Sequence, residues 1–149
     1  MASSNGPLAQ LRRAVFARHA NPWSAWSRWA TTPLLYVPVW TRRWSHAAFV
    51  GVWFAVNPVV FPRPEQTHAW STRAMLGEEL WISERPRDRA LVVNSAAGLA
   101  GLAAVVAARK RRFWPTATAT AVQMGLTLVY WQQMAHYYEG HRRAQVNGR

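Results

Sequence analysis

Three stretches of this chain contain no Asp, Glu, Lys or Arg: Trp44 to Pro62, Ala90 to Ala108 and Phe113 to Tyr138. A bilayer core is ~30 Å thick and a helix rises ~1.5 Å per residue, so ~20 uncharged residues suffice to span it. Knots of basic residues separate the stretches: Arg12-Arg13, Arg42-Arg43, Arg109 to Arg112 and Arg142-Arg143. The pattern predicts an all-α integral membrane helical bundle with transmembrane spans at about 44–61, 90–108 and 113–131. Gln132 to Tyr138 then emerges into the interface. As consecutive spans, the first two bring Arg42-Arg43 and Arg109 to Arg112 to one face of the membrane.

The same distribution decides among the partners that a basic chain invites. Eighteen Lys and Arg oppose six Asp and Glu, a formal net charge of +12. A nucleic-acid binder spreads such charge over one face of a folded domain, whereas here it sits at the ends of apolar runs. The expected partner is the lipid bilayer, with anionic lipid head groups at the arginine knots, and no nucleic acid. The absence of cysteine excludes disulfides, thiolate metal ligands and a cysteine nucleophile. Ten tryptophans are many for 149 residues. Indole collects at the head-group level, so Trp23, Trp26, Trp29, Trp40, Trp44, Trp70, Trp81, Trp114 and Trp131 are expected as membrane-interface anchors.

Before the first long run the reading is less regular. Residues 1–20 form a basic amphipathic helix with Leu8, Leu11, Val15 and Phe16 on one face, of the kind that lies on a membrane surface. Asn21-Pro22 offers a cap and a first-turn proline for a new helix. The uncharged stretch Trp29 to Thr41 contains Pro33 and Pro38 and reaches only ~20 Å. It either crosses, as a span of about 26–41 with Arg28 snorkelling to the head groups, or it half-inserts. Residues 21–143 thus make one transmembrane helical-bundle domain, and 144–149 a flexible tail beyond a helix ending at Gly140. The multi-pass protein belongs in a prokaryotic plasma membrane. The Arg-bearing, acid-free N-terminus leaves the mitochondrial inner membrane as the alternative. Between the spans, Trp70, Ala74, Gly77 and Trp81 predict an interfacial amphipathic helix at about 68–82, with Glu78-Glu79 on its solvated face.

Small residues mark the packing faces. Ala96, Ala100, Ala104 and Ala108, with Gly101 beside them, form one stripe, and Ala117, Ala121 and Gly125 form a second. Such stripes let backbones approach closely, within one bundle or between copies in a homo-oligomer or larger membrane complex. Asn57, Asn94 and Gln123 are expected to face the interior. No metal and no cofactor are expected, since His136 and Glu139 at i, i+3 supply only two ligands. The weak catalytic candidates are the polar residues near the span ends: His19, Asn21, Arg73, Glu78, Glu139 and His141.

Several short motifs recur in a fixed order: His19-Ala20-Asn21-Pro22-Trp23-Ser24, Pro33-Leu34-Leu35, Arg42-Arg43-Trp44, Asn57-Pro58 and Phe61-Pro62-x-Pro64. They are followed by Trp70-x-x-Arg73-x-x-Leu76-Gly77-Glu78 and Tyr137-Tyr138-Glu139-x-His141-Arg142. From about residue 15 to 143 this pattern resembles a family of small bacterial and archaeal multi-span membrane proteins known only as a domain of unknown function. The resemblance implies an integral membrane protein and carries no catalytic residue with it. Two functions from different classes stay open. One is a structural or accessory membrane subunit; the other is a membrane-embedded enzyme or lipid-head-group binder using interfacial His, Glu and Arg.

Overall fold

The computed structural model describes residues 18–64, 66–84 and 87–148, so the basic segment expected at 1–20 lies almost wholly outside them. Among the described residues the chain is all-α: six helices, 85% helical, with no strand. In order they are α1 (Pro22–Ala30), a 3-10 turn (Thr32–Tyr36), α2 (Val37–Thr41), α3 (Trp44–Val60), α4 (Trp70–Glu84), α5 (Arg89–Arg109) and α6 (Phe113–Asn147).

Local chemistry sets most of these boundaries. Asn21 accepts from the Trp23 amide at 2.9 Å and Pro22 occupies the first turn of α1. The two prolines that shorten the next stretch each open an element, Pro33 the 3-10 turn and Pro38 helix α2. Asp88 caps α5 through the Ala90 and Leu91 amides. Arg42 closes α2 in the left-handed region, at φ 56°.

The elements run up and down a single bundle. Asn21 donates to the Pro62 carbonyl at 2.9 Å, which sets the start of α1 beside the end of α3. Arg42 donates to the Arg109 carbonyl at 3.2 Å, which sets the end of α2 beside the end of α5. The segment 22–41 therefore travels the full length of the bundle as a broken element of α1, 3-10 turn and α2. Midway, Trp29 donates to the Met124 carbonyl at 3.1 Å.

α5 and α6 form the main hairpin. Ala97, Ala104, Ala107 and Ala108 of α5 are buried, and a Cβ at Gly101 would meet the Gln123 side chain at 3.1 Å. The expected α5 stripe is thus rotated slightly: Ala104 and Ala108 are fully buried, Ala96, Ala100 and Gly101 half-buried, and Ala97 joins them. Asn94 is exposed, not interior. The second stripe is corrected further. Ala117 is half-buried, Ala121 and Gly125 are exposed, and a Cβ at Gly125 would meet nothing within 4 Å. Ala119 and Gln123 take the contact with α5 instead, because Gln123 also reaches the Tyr36 hydroxyl.

α6 does not end at Gly140. Its 35 residues continue to Asn147, about 52 Å at the α-helical rise, and α4 packs along the extra length. Met75, Trp81, Tyr130, Trp131 and Met134 form the larger core cluster there. α4 approaches so closely that a Cβ on Gly77 would stand 1.9 Å from the Met134 carbonyl oxygen. Gly77→Ala therefore forces backbone apart and is expected to cost about 3 kcal/mol. Gly125→Ala meets open space and should leave stability unchanged or raise it slightly. Thermal unfolding of the two variants beside the wild type checks this, and equal midpoints would refute the close approach.

Candidate functional site: an ionisable cluster where four segments meet

α1 is anchored by polar side chains before it brings any charge into the bundle. Buried Ser24 donates to Asn57 Oδ1 at 3.0 Å, and Asn57 Nδ2 donates to Ser27 Oγ at 2.8 Å. This fixes the rotation of α1 against α3, and Trp53 donating to Thr31 Oγ1 at 2.9 Å reinforces it. One turn on, Arg28 folds back toward the start of the helix. Its Nε donates to the Ser24 carbonyl at 3.1 Å, its Nη2 to the His19 carbonyl at 3.3 Å, and its Nη1 to the His19 ring.

Glu78 arrives from α4 on the other side. The Tyr130 hydroxyl of α6 donates to Glu78 Oε1 at 3.3 Å. His19, Arg28 and Glu78 line one open cleft of about 220 Å³, between aromatic walls that include Trp29, Phe54 and Trp131. Glu78 is therefore part of an inter-helix cluster and does not sit on a solvated face. Gly77 decides this: it lets α4 turn its 77–78 edge onto α6.

Burial governs the protonation of two groups that line the cleft, His19 and Glu78. It holds the His19 ring down at about 4, with the Arg28 charge adding to the effect, so the imidazole is neutral and can accept from the guanidinium. Burial raises the Glu78 carboxyl, against the opposing pull of the Tyr130 hydroxyl and Arg28. A neutral imidazole, a guanidinium and a carboxyl that protonates readily are the elements of a proton-holding site.

The six polar candidates do not converge. His19 and Glu78 share the cleft, but Asn21 is committed to capping α1 and to the Pro62 carbonyl. Arg73 pairs with Glu139 at 2.8 Å in a separate cluster beside Tyr138, Arg142 and Arg143. His141 meets Glu84 at 3.0 Å, and Tyr137 donates to the same carboxylate. That hydroxyl holds the Glu84 carboxyl below its ordinary range. His136 contacts Gln132 at 3.0 Å, and no group of three His, Asp or Glu side chains suited to a metal occurs among the described residues. Arg28 and Tyr130 are site residues that the candidate set omits. A charged side chain inside an otherwise apolar run is the signal that singles out Arg28; nothing in the sequence singles out Tyr130.

The tryptophans divide in two. Trp23, Trp44 and Trp114 are exposed. Trp81 and Trp131 are instead buried, and Trp29, Trp70 and Trp131 gather around Trp26 in edge-on and tilted contacts with ring centroids 5.7 to 6.0 Å apart. Trp81 donates to Asp88, the cap of α5.

Compared with known proteins, the chain matches at residues 8–147 the model of a family of unknown function, DUF6653, and it belongs to that family. No curated protein and no solved structure matches it.

The cluster makes stability depend on pH with opposite signs at its two groups. Unfolded His19 gains a proton as pH falls through 6.5, while folded His19 resists until about 4. The fold thus loses up to ~3 kcal/mol across that window. Glu78, raised in the fold, opposes this, since acidification relieves a buried charge. His19→Gln should flatten the acid loss of unfolding temperature between pH 6.5 and 4, and Glu78→Gln should steepen it. Parallel pH profiles for both variants and the wild type would show that neither group is buried in this way.

Proposed function

We propose that this member of the family is an integral, multi-pass membrane protein acting as a structural or accessory membrane subunit. One observation carries the reading: the most apolar helices keep their large side chains on the outside. By length and composition α5 is the one described helix that meets the requirement of a membrane span by itself, and only 22% of its apolar window is buried. A core helix of a water-soluble protein would bury most of that surface. Here Leu99 is 67% exposed and Leu102 63%, and on α3, which packs against the broken element 22–41, Phe49, Val52 and Val60 are exposed as well. An apolar exterior of this kind is stable in lipid and a liability in water.

The other crossings are part of the same proposal. α3 has 17 residues, the short end of the spanning range. The broken element 22–41 and the first half of α6 run beside α3 and α5 for the same length. A broken helix is tolerated at that depth where neighbours and side chains satisfy its backbone, and Trp29, Tyr36 and Thr31 supply such bonds. The accessory reading draws on the pairing of the polar candidates: Glu78 and Glu139, the acids among them, are each held by a partner within the chain. A membrane enzyme working at the cleft is the second reading, and the raised Glu78 carboxyl beside Arg28 is what favours it. Both readings are compatible with a prokaryotic plasma membrane and with the mitochondrial inner membrane.

The integral protein should remain in the pellet after carbonate and high-salt washes; release into the supernatant overturns the reading. In the cysteine-free background, thiols at the exposed positions Thr67 and Lys110 should react with an impermeant maleimide from opposite sides of the membrane. Labelling of both from one side would mean that α5 does not cross.

A further inference from the structure

Two turns at one end of the bundle carry charge that nothing nearby neutralises. Arg42 and Arg43 join α2 to α3, and Arg109, Lys110, Arg111 and Arg112 close α5 and lead into α6. All six side chains are exposed, and the bond from Arg42 to the Arg109 carbonyl holds the turns side by side. No Asp or Glu occurs before Glu65 or between Asp88 and Glu139. Among the described residues the ion pairs, Arg73–Glu139 and His141–Glu84, involve α4 and the far part of α6. Arg42 and Arg111 have φ of 56° and 53°, a region that glycine occupies far more readily. Both turns therefore keep an arginine where the backbone would prefer none. A cavity of about 330 Å³ opens among Arg42, Arg43, Arg109 and Trp44.

Beside this rim lies an apolar groove of about 620 Å³ between the 3-10 turn, α2 and α6. Tyr36, Val37 and Trp40 form one wall, and Phe113, Ala117 and Ala121 the other. Thr116 and Thr120 also line it, but their hydroxyls donate to the Arg112 and Thr116 carbonyls at 2.7 Å, which leaves their methyl groups for the groove. From Phe113 to Met124 the α6 wall extends ~16 Å along the helix axis. Its mouth adjoins the rim, since Trp40 stands two residues before Arg42 and Phe113 directly follows Arg112.

We propose that rim and groove together bind one anionic phospholipid, its phosphate among the arginines and an acyl chain against the α6 wall. The proposal rests on the membrane reading above. Charge complementarity selects this occupant: guanidinium groups without internal counter-ions match a phosphate that accepts paired hydrogen bonds. An apolar trough of helical length beneath them matches a hydrocarbon chain. A second copy of this chain would have to bring its own six cations against these, which like-charge repulsion opposes.

The test uses the full chain, purified in neutral detergent and stripped of lipid. Phosphatidylglycerol and phosphatidylcholine with the same acyl chains are added separately, and retained lipid is read by native mass spectrometry beside the unfolding temperature. One phosphatidylglycerol should be retained per chain, at least tenfold more strongly than phosphatidylcholine, and should raise the unfolding temperature. Combined Arg42→Gln, Arg43→Gln, Arg111→Gln and Arg112→Gln should abolish the preference. Arg142→Gln with Arg143→Gln, which removes two charges from the far part of α6, should not, whereas Arg42→Gln with Arg43→Gln, the matched loss at the rim, should already weaken it. Ala117→Phe fills the groove with the rim intact and should weaken retention of both lipids.

Equal retention of the two lipids by the wild type overturns the proposal, as does a preference that survives the rim substitutions. Displacement by glycerophosphoglycerol, the head group without chains, would reassign the rim to a soluble phosphate compound. Conversion of a dimer to a monomer by Ala117→Phe, with lipid retention unchanged, would give the groove to a second copy. The carbonate wash fails the membrane reading alone; in a protein that stays in the pellet, these outcomes fail only the lipid site.

Discussion

The close approach of Gly77 to the Met134 backbone organises one whole end of this protein. It sets both the rotation and the register of α4 on α6, and the neighbouring contacts follow from those two settings. Arg73, one turn before Gly77, falls opposite Glu139; Glu78 falls opposite Tyr130; Trp70 reaches Gln132 and stacks near Trp131; Glu84 meets Tyr137 and His141. A side chain at position 77 would lift α4 away and separate these pairs together. The acids of α4 owe their environments to a residue with no side chain at all.

The opposite end is built on another principle. There the turns are short, the helices converge through alanines, and the charges are all of one sign. At the α4 end, Arg73 pairs with Glu139 and His141 with Glu84; at the turn end, the arginines and the lysine are exposed and have no ion pair among the described residues. The middle belongs to neither regime, since its polar atoms are matched helix to helix, Ser24 with Asn57 and Tyr36 with Gln123. Such matching is what a low-dielectric surrounding demands of any polar group held inside it.

Much of this was legible in the residues. Uncharged runs bounded by arginines delimit α3 and α5, Asn21-Pro22 marks the start of α1, and Ala104 and Ala108 mark a packing face. The misreadings share a cause: each required knowing which neighbour a helix would choose. A small-residue stripe is a capacity for contact, and α6 has two such faces. The turn after α5 and the reach of Gln123 select the face with Ala119, so Ala121 and Gly125 stay outside. Glu78 looks solvated while α4 is assumed to float on an interface, and becomes part of a cluster once Gly77 is seen to admit α6. Gly140 fails to end α6 because nothing turns the chain there: among the described glycines none has a positive φ. His19 and Arg28 are close because α1 begins with a tight bend, a feature that spacing along a helix cannot express.

The far half of α6 has a consequence for the order of events in synthesis. Trp29, Glu78, Arg73, Trp70 and Glu84 all find their partners between Met124 and His141. A ribosome adds residues at roughly 5–20 per second and domains assemble as chain becomes available. Arg28 closes on His19 and Ser24 within its own segment, but Glu78 and Arg73 must wait for Tyr130 and Glu139 until the last helix has left the ribosome. For that interval the nascent protein holds a carboxyl and a guanidinium that have not yet met their partners. Newly made chains thus pass through a stage in which a chaperone, or an early protease, could distinguish them from finished ones.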